Sequence, residues 1–486
     1  MGGSSSKLLV LNLLGTSIGW IDPSFFTQLN GLNRLLLDGG ALCGGCGYGF
    51  LGSLLGLEYL KIEDVRTSAC GRCKTEKSTG GFSTAVKNSV YNMTCKMDSL
   101  VELDLSGRAM NIDYFVFLTP LPNLVSLRMQ GRLVRDMSLR DWPGILKTLK
   151  HLTLGVIDDA AEASAQKLYN ESTFYAERIL EATNLETLSF DSITKRRIKF
   201  SLGTKKVVFP YLRHLTIRNC DLRPLTFFNK ENAPVLSSLE IVSISFTEGY
   251  FYTIKKRLGN RLQSLRIGIE KMDAPQAIYD LFTFIRSHKD LTTLHLHVCE
   301  TITESQSFYK YFSDRPALTE LYVMGSMNTH RMKRFLYQLG HCTTISTLLL
   351  DIEEPATVMS YFYPLYSLTF FSLKASFAGH PRAPLPIHRS DLEKLASMKG
   401  LEVLDLAGCG LPELPPSILP SLTQLNQLYL NNNNLLALPE AAIATIKSRK
   451  DVPMYIDLTG NPLNREVLLD VLINGCWLGQ AGYILI

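Results

Sequence analysis

Four cysteines fall into two short pairs, Cys43-Gly-Gly-Cys46 and Cys70-Gly-Arg-Cys73. Paired C-x-x-C knuckles offer four thiolates for tetrahedral zinc, and a site built wholly of protein sulfur is closed and structural. The plainer reading is reduced or disulfide-bonded thiols in glycine-rich loops. His295 and His297 are spaced to face the same way on a strand. Two imidazoles at i and i+2 can hold a metal, but no third ligand stands near them, so a partner-binding surface is the better reading.

Other spacings spell reactive motifs without the elements that those motifs require. Gly47-Tyr-Gly49-Phe-Leu-Gly52 has the G-x-G-x-x-G spacing of a dinucleotide-binding turn. The next strand pattern begins at Leu57, which leaves no room for the crossover helix. Gly15-Thr-Ser17-Ile-Gly19 has the spacing of a nucleophile elbow, but Pro23 and the pattern resuming at Leu32 leave little space for a following helix. Both read as turns. The opening Met1-Gly2-Gly-Ser-Ser-Ser6-Lys7 matches the N-myristoylation pattern at Gly2, or is simply a flexible leader. One acyl chain without a polybasic patch would support only weak, reversible membrane association.

The elements that carry these residues come from an internal repeat. Leu425-Asn-Gln-Leu428-Tyr-Leu430-Asn-Asn-Asn433-Asn-Leu435 is matched by Leu401 to Leu411, by Leu212 to Leu222 and by Leu291 to Cys299. Repeat starts fall at 8, 32, 57, 100, 124, 149, 185, 212, 236, 262, 291, 318, 345, 368, 401, 425 and 453, most of them 23 to 29 residues apart. In such a unit the leucines of L-x-L enter the core and their neighbours face out. An Asn or Cys at the ninth position can bond the turn of the adjoining repeat. Val65, Arg108, Ile157 and Glu270 occupy that position elsewhere, so no polar ladder runs through the middle.

This pattern resembles the leucine-rich-repeat family over nearly the whole chain. The resemblance implies an α/β fold: a curved horseshoe of about 17 repeats, with a parallel β-sheet on the concave face and helices and irregular turns on the convex face. The middle units resemble ribonuclease-inhibitor and F-box-adaptor repeats. Ala274 to Arg286, Ser326 to Leu339 and Ser172 to Ala182 have the three- and four-residue apolar spacing of return helices. The last units, with Leu411-Pro-Glu-Leu-Pro-Pro, resemble the shorter repeats of signalling scaffolds. Equivalent points of adjacent repeats stack about 5 Å apart, which would bring the two cysteine pairs to one edge.

The expected organisation is a leader over 1–7, a solenoid over 8–463 with an inserted loop at about 70–95, and a C-terminal capping helix and tail over 464–486. Apolar residues make up 46% of the chain and charged residues 20%, a globular composition. A net charge of +5 with only short basic runs argues against nucleic acid as partner. No signal peptide or spanning segment is recognised, and ten cysteines in 486 residues are too few for a disulfide scaffold. The cytoplasm is the expected compartment, peripheral to a membrane only if Gly2 is acylated.

The function expected of such a chain is non-enzymatic: a protein–protein interaction module or scaffold. Its partner would meet the concave face at His214, Arg218, Arg266, His295, His297 and Tyr322. Outward aromatic, Arg and His residues of mixed charge suit a protein better than a phosphate backbone. The helical middle repeats also suit the substrate-recognition adaptor of a ubiquitin ligase, and a third reading is an extracellular recognition receptor. No residues outside the repeats are numerous enough for a catalytic domain.

Overall fold

The computed structural model describes residues 8–16, 18, 21, 23–38, 49–63, 97–111, 121–132, 137–138, 145–156, 172–175, 177–192, 198–201, 207–219, 227–245, 249–271, 275–298, 311, 317–325, 329–352, 354–362, 365–374, 387–449, 454–464 and 482–485. The chain divides into two compact units, residues 1–242 with 257–259 and residues 243–256 with 260–486. In both, a strand begins one or two residues after every repeat start read from the sequence.

The first unit holds β1 (Val10–Asn12), β2 (Arg34–Asp38), β3 (Tyr59–Glu63), β4 (Glu102–Asn111), β5 (Ser126–Arg132), β6 (Met137–Ser138), β7 (His151–Val156), β8 (Ser172–Tyr175), β9 (Thr187–Asp191), β10 (Ile198–Ser201), β11 (His214–Arg218) and β12 (Ser238–Ser245, as far as Val242). Its main sheet is parallel in the order β1-β2-β3-β4-β5-β7-β9-β11-β12. The second unit holds β13 (Ser264–Lys271), β14 (Thr293–Val298), β15 (Glu320–Gly325), β16 (Thr347–Ile352), β17 (Phe370–Lys374), β18 (Val403–Asp405), β19 (Gln427–Tyr429), β20 (Met454–Asp457) and β21 (Gly482–Leu485), each parallel to the next.

Register and core share one cause. The fourth residue of each repeat forms a ladder, Leu103, Leu127, Leu152, Leu188 and Leu215 in the first unit and Leu294, Leu321, Leu348, Phe371 and Leu404 in the second, and every member is buried. The sixth residues form a second buried ladder, as in Leu105, Met129 and Leu154, or Leu296, Val323 and Leu350. Burying one such side chain is worth about 1.5–3 kcal/mol. A slip of one residue would turn both ladders to solvent, so the register is strongly specified.

The return segments differ between the units. Among the described residues the first unit has the short helix α1 (Pro23–Phe26) and 3-10 turns at Gly49–Ser53, Ile145–Lys147 and Glu177–Glu181. From Gly49 on, the described part of the G-x-G-x-x-G segment is this 3-10 turn, and β3 follows it with no helix between. The second unit has α2 (Tyr250–Leu258, as far as Lys256), α3 (Pro275–Ser287), α4 (Thr329–Leu339) and α5 (Pro355–Tyr361). In α4, Met332, Phe335, Leu336 and Leu339 are buried while Lys333, Arg334 and Tyr337 are exposed, the spacing that predicts a helix there.

Ser172 to Ala182 departs from the helix expected of it. It is strand β8 followed by a 3-10 turn, and β8 joins β10 and β6 in a separate small parallel sheet. Ser-Thr-Phe-Tyr is rich in β-formers, and neighbouring strands decide the matter against the apolar spacing. Within the expected C-terminal tail, Gly482–Leu485 pairs with β20 as a further parallel strand. A short Tyr-Ile-Leu run is itself strand-forming and satisfies the backbone groups of the edge it joins. The leader at 1–7, the loop at about 70–95 and residues 465–481 of the expected capping helix and tail lie outside the described residues.

Near its C-terminal end the second unit carries a polar spine at the ninth position. Cys409 Sγ donates to Leu373 O at 3.1 Å. Asn433 Nδ2 donates to Leu406 O and Leu430 O, both at 2.9 Å, and its Oδ1 accepts from Leu411 N at 3.0 Å. Asn461 repeats the arrangement one unit on, donating to Leu430 O and Leu458 O and accepting from Leu435 N. Leu430 O thus accepts from two successive asparagines.

Candidate functional site

The third, fifth and seventh residues of each repeat flank the buried ladders and face away from the core. In the first unit several of them are charged, and a number of these are paired with one another. Arg34 lies over the Tyr59 ring at 4.2 Å, and Lys61 meets Glu63 at 3.5 Å. Arg128 Nε and Nη2 donate to Gln130 Oε1 at 2.8 and 2.5 Å, and Gln130 Nε2 donates to Asp191 O at 2.6 Å. Arg218 bonds Glu240 Oε1 through Nε at 3.0 Å and Nη2 at 2.9 Å, and its Nη1 lies 3.6 Å from Asp191 Oδ2. His214 is exposed at the head of the same strand, in register with Thr187 and Ser238.

The bond from Gln130 to Asp191 spans two strands, and Gly155 makes it possible. Gly155 lies in register with Gln130. A Cβ there would fall 1.7 Å from Asp191 O. The bare glycine lets that carbonyl fold over β7 and meet the Gln130 amide.

Arg266, His295, His297 and Tyr322 belong to the second unit. The register sets Arg266, His295 and Tyr322 side by side in the fifth row, and Gly268, His297 and Met324 in the seventh. The His295 ring stacks on Tyr322 with centroids 3.9 Å apart and planes 7° from parallel. Burial, then the Arg266 cation, hold the His295 pKa below the ordinary histidine value, while Glu320 opposes them weakly. Burial and Glu320 push the Tyr322 phenol up. At neutral pH the pair is an uncharged imidazole against a protonated phenol.

This predicts a titration. Because the folded pKa of His295 lies below the unfolded value of about 6.5, the unfolded chain binds the proton first as pH falls. The penalty on stability therefore begins near that value and stops growing below the folded pKa. By NMR, His295 should titrate below 6.5, and Arg266→Ala should raise its pKa only part of the way, since burial is the larger cause. An unchanged pKa in Arg266→Ala would remove Arg266 from this account.

The structure adds residues that the sequence reading did not single out. Leu349 follows Tyr322 in the fifth row, Met324 follows His297 in the seventh, and Phe370 and Val403 are neighbours in the third. All four are half-buried on the solvent side of the sheet. A signal was present: Leu348-Leu349-Leu350 and Phe370-Phe371 place adjacent apolar residues in one strand, and with period two they cannot all point inward. The patch is rimmed by polar groups. Thr293 Oγ1 donates to Glu320 Oε2 at 3.2 Å, Lys374 meets Asp405 at 3.1 Å, and Ser372 Oγ donates to the same carboxylate at 2.9 Å.

Cys43, Cys46, Cys70, Cys73 and Gly2 lie outside the described residues, so the zinc and lipid readings stay expectations. Among the described residues no three His, Cys, Asp or Glu groups come together as metal ligands. Among them, too, no helix is long and apolar enough to cross a membrane.

Within each unit the strands that follow the repeat starts keep one register, with two buried ladders and, in the second unit, a ninth-position spine at the C-terminal end. This is the fold of a leucine-rich-repeat protein. No family model and no curated protein matches the chain. Among solved structures it is similar to an LRR protein of Leptospira interrogans, at 17% identity and a TM-score of 0.35, covering 98% of this chain and 95% of that one. It is also similar to a chain of the mouse RP105/MD-1 complex, at 13% identity and a TM-score of 0.43, covering 96% and 77%. A third is from a TLR13–ssRNA13 complex, at 16% identity and a TM-score of 0.33, covering 98% and 85%.

Proposed function

We propose that the chain is a non-catalytic protein-binding module whose partner docks on the solvent side of β14 to β18. The observation that supports this reading is the apolar and aromatic patch of His295, Tyr322, Met324, Leu349, Phe370 and Val403, half-buried and rimmed by polar groups. Contiguous apolar groups on a solvent face mark interaction sites, and central aromatic anchors within a polar rim are the usual seat of binding energy. Strands hold these side chains in place before the partner arrives, so little ordering entropy opposes binding. Arg218 of the first unit is held by Asp191 and Glu240, which makes it a secondary contributor, and His214 on the same strand is not part of the patch.

Cys342 and Cys409 are buried thiols, which suit a reducing compartment such as the cytoplasm. Burial pushes Cys342 up to about 11 and raises Cys409 as well, so neither serves as a nucleophile at neutral pH.

The test compares two double variants by affinity capture and melting temperature. Tyr322→Ala/Leu349→Ala should weaken partner capture by roughly 30-fold or more, the factor expected for hot-spot loss of at least about 2 kcal/mol. Its melting temperature should change little, because the side chains are only half-buried. His214→Ala/Arg218→Ala should retain most capture. Full capture by Tyr322→Ala/Leu349→Ala would move the site off this face.

A further inference from the structure

We infer that the segment received by this face carries a carboxylate a few residues from a bulky apolar side chain, the carboxylate seated over Arg266, His295 and Tyr322 and the apolar group over Leu349, Met324 and Phe370. The inference rests on the docking surface proposed above.

Two rings stacked at 3.9 Å have their faces turned on each other, which leaves their edges for a partner. The groups of that row are hydrogen-bond donors: the exposed Arg266 guanidinium, one imidazole N–H of the neutral His295, and the Tyr322 hydroxyl, which burial and, to a lesser degree, Glu320 keep protonated. A guanidinium with adjacent N–H and O–H donors binds a carboxylate through charge-assisted hydrogen bonds. Glu320 stands in the third row and accepts from Thr293. It repels an acid placed over that row, which confines the partner's carboxylate to the fifth.

One strand further on, the chemistry changes. Leu349, Met324 and Phe370 carry no charge and are half-buried, so they suit an aliphatic or aromatic side chain. From the centre of the donor row to the apolar patch is two to three strand spacings, about 10–14 Å. An extended segment crossing the strands covers that distance in about three to four residues. Nucleic acid fits poorly here. The stacked rings leave no open pair of faces for bases.

The experiment pans a random-sequence peptide display library on the full chain, then titrates the synthetic consensus peptide by fluorescence anisotropy. The expected consensus has Asp or Glu three or four residues from Leu, Ile, Phe or Trp. Arg266→Ala should weaken its binding at least tenfold and abolish the difference between the peptide and its Asp→Asn or Glu→Gln form. Peptides that lose binding to Tyr322→Ala/Leu349→Ala but show no acidic preference would overturn this inference and leave the docking surface standing. Peptides that bind that variant normally would overturn both. A library yielding no binder would overturn the inference as well.

Discussion

Gly155→Ala is expected to destabilise the first unit by about 3 kcal/mol, the upper range for overpacking a close-packed site. For a unit of this size that is a fall of roughly 6–12 °C in melting temperature. The added methyl would lie 1.7 Å from Asp191 O, 2.7 Å from its carbonyl carbon and 3.0 Å from Gln130 Cγ. The first two are backbone atoms on β9, so β9 itself has to move. That movement would pull Asp191 from the Gln130 amide and from the Arg218 guanidinium. The exposed ion pairs alone are worth little, about 0–1 kcal/mol each; the large term is the displaced backbone.

Two controls separate this cause from others. At Gly56 a Cβ would meet only Asn30 O at 3.6 Å and Leu32 O at 3.7 Å, so Gly56→Ala should stay within about 1 kcal/mol of the parent. Adding Gln130→Ala to Gly155→Ala should not restore stability, because the carbonyl, not the glutamine, makes the tight contact. A stable double variant would mean that the glutamine side chain, and not the strand approach, demands glycine.

Asn433→Ala should cost the second unit about 3 kcal/mol. Among the described residues the substitution strands Leu406 O and Leu411 N and leaves Leu430 O with Asn461 alone. Asn433 is itself buried, 3% exposed, and an unsatisfied buried group costs about 1–3 kcal/mol. Asn433→Asp should be worse than alanine: it loses both donors and sets a carboxylate against two carbonyl oxygens. Asn433→Cys should be milder, since Cys409 performs the donor role one repeat earlier. Chemical denaturation that ranks cysteine below alanine would refute the spine as a hydrogen-bonding device.

Much of the fold was legible because its cause is local and repeated. Leu425, Leu428 and Leu430 recur at one spacing, and a period that turns the same residues inward at every unit leaves one register open. Helices α3 and α4 follow from three- and four-residue spacing for the same reason. The spine was legible too: Asn433 and Cys409 stand at the ninth position and bond the preceding repeat. Ser172 to Tyr175 was not, since its strand depends on β6 and β10, whose pairing no local spacing encodes.

The site divides along the same line. The sequence placed Arg266, His295 and Tyr322 on one outward row, and the register sets them there. It also grouped them with His214 and Arg218, because outward position is periodic and charge is visible in the letters. The engagement of Arg218 depends on neighbours far along the chain: it reaches Asp191 and Glu240, respectively 27 and 22 residues away. Leu349 and Phe370 went unnoticed because leucine and phenylalanine in such repeats read as core, until alternation turns one of each adjacent pair outward.

By itself, then, the sequence determined the repeat, the register and the inward ladders, all properties of one unit copied along the chain. Only the tertiary structure decided that Asp191 O lies over Gly155, that His295 and Tyr322 face each other in a stack, and that Leu349 continues their row. Those contacts join residues from different repeats, and their distances depend on how backbones approach across the sheet, a quantity that no single repeat contains.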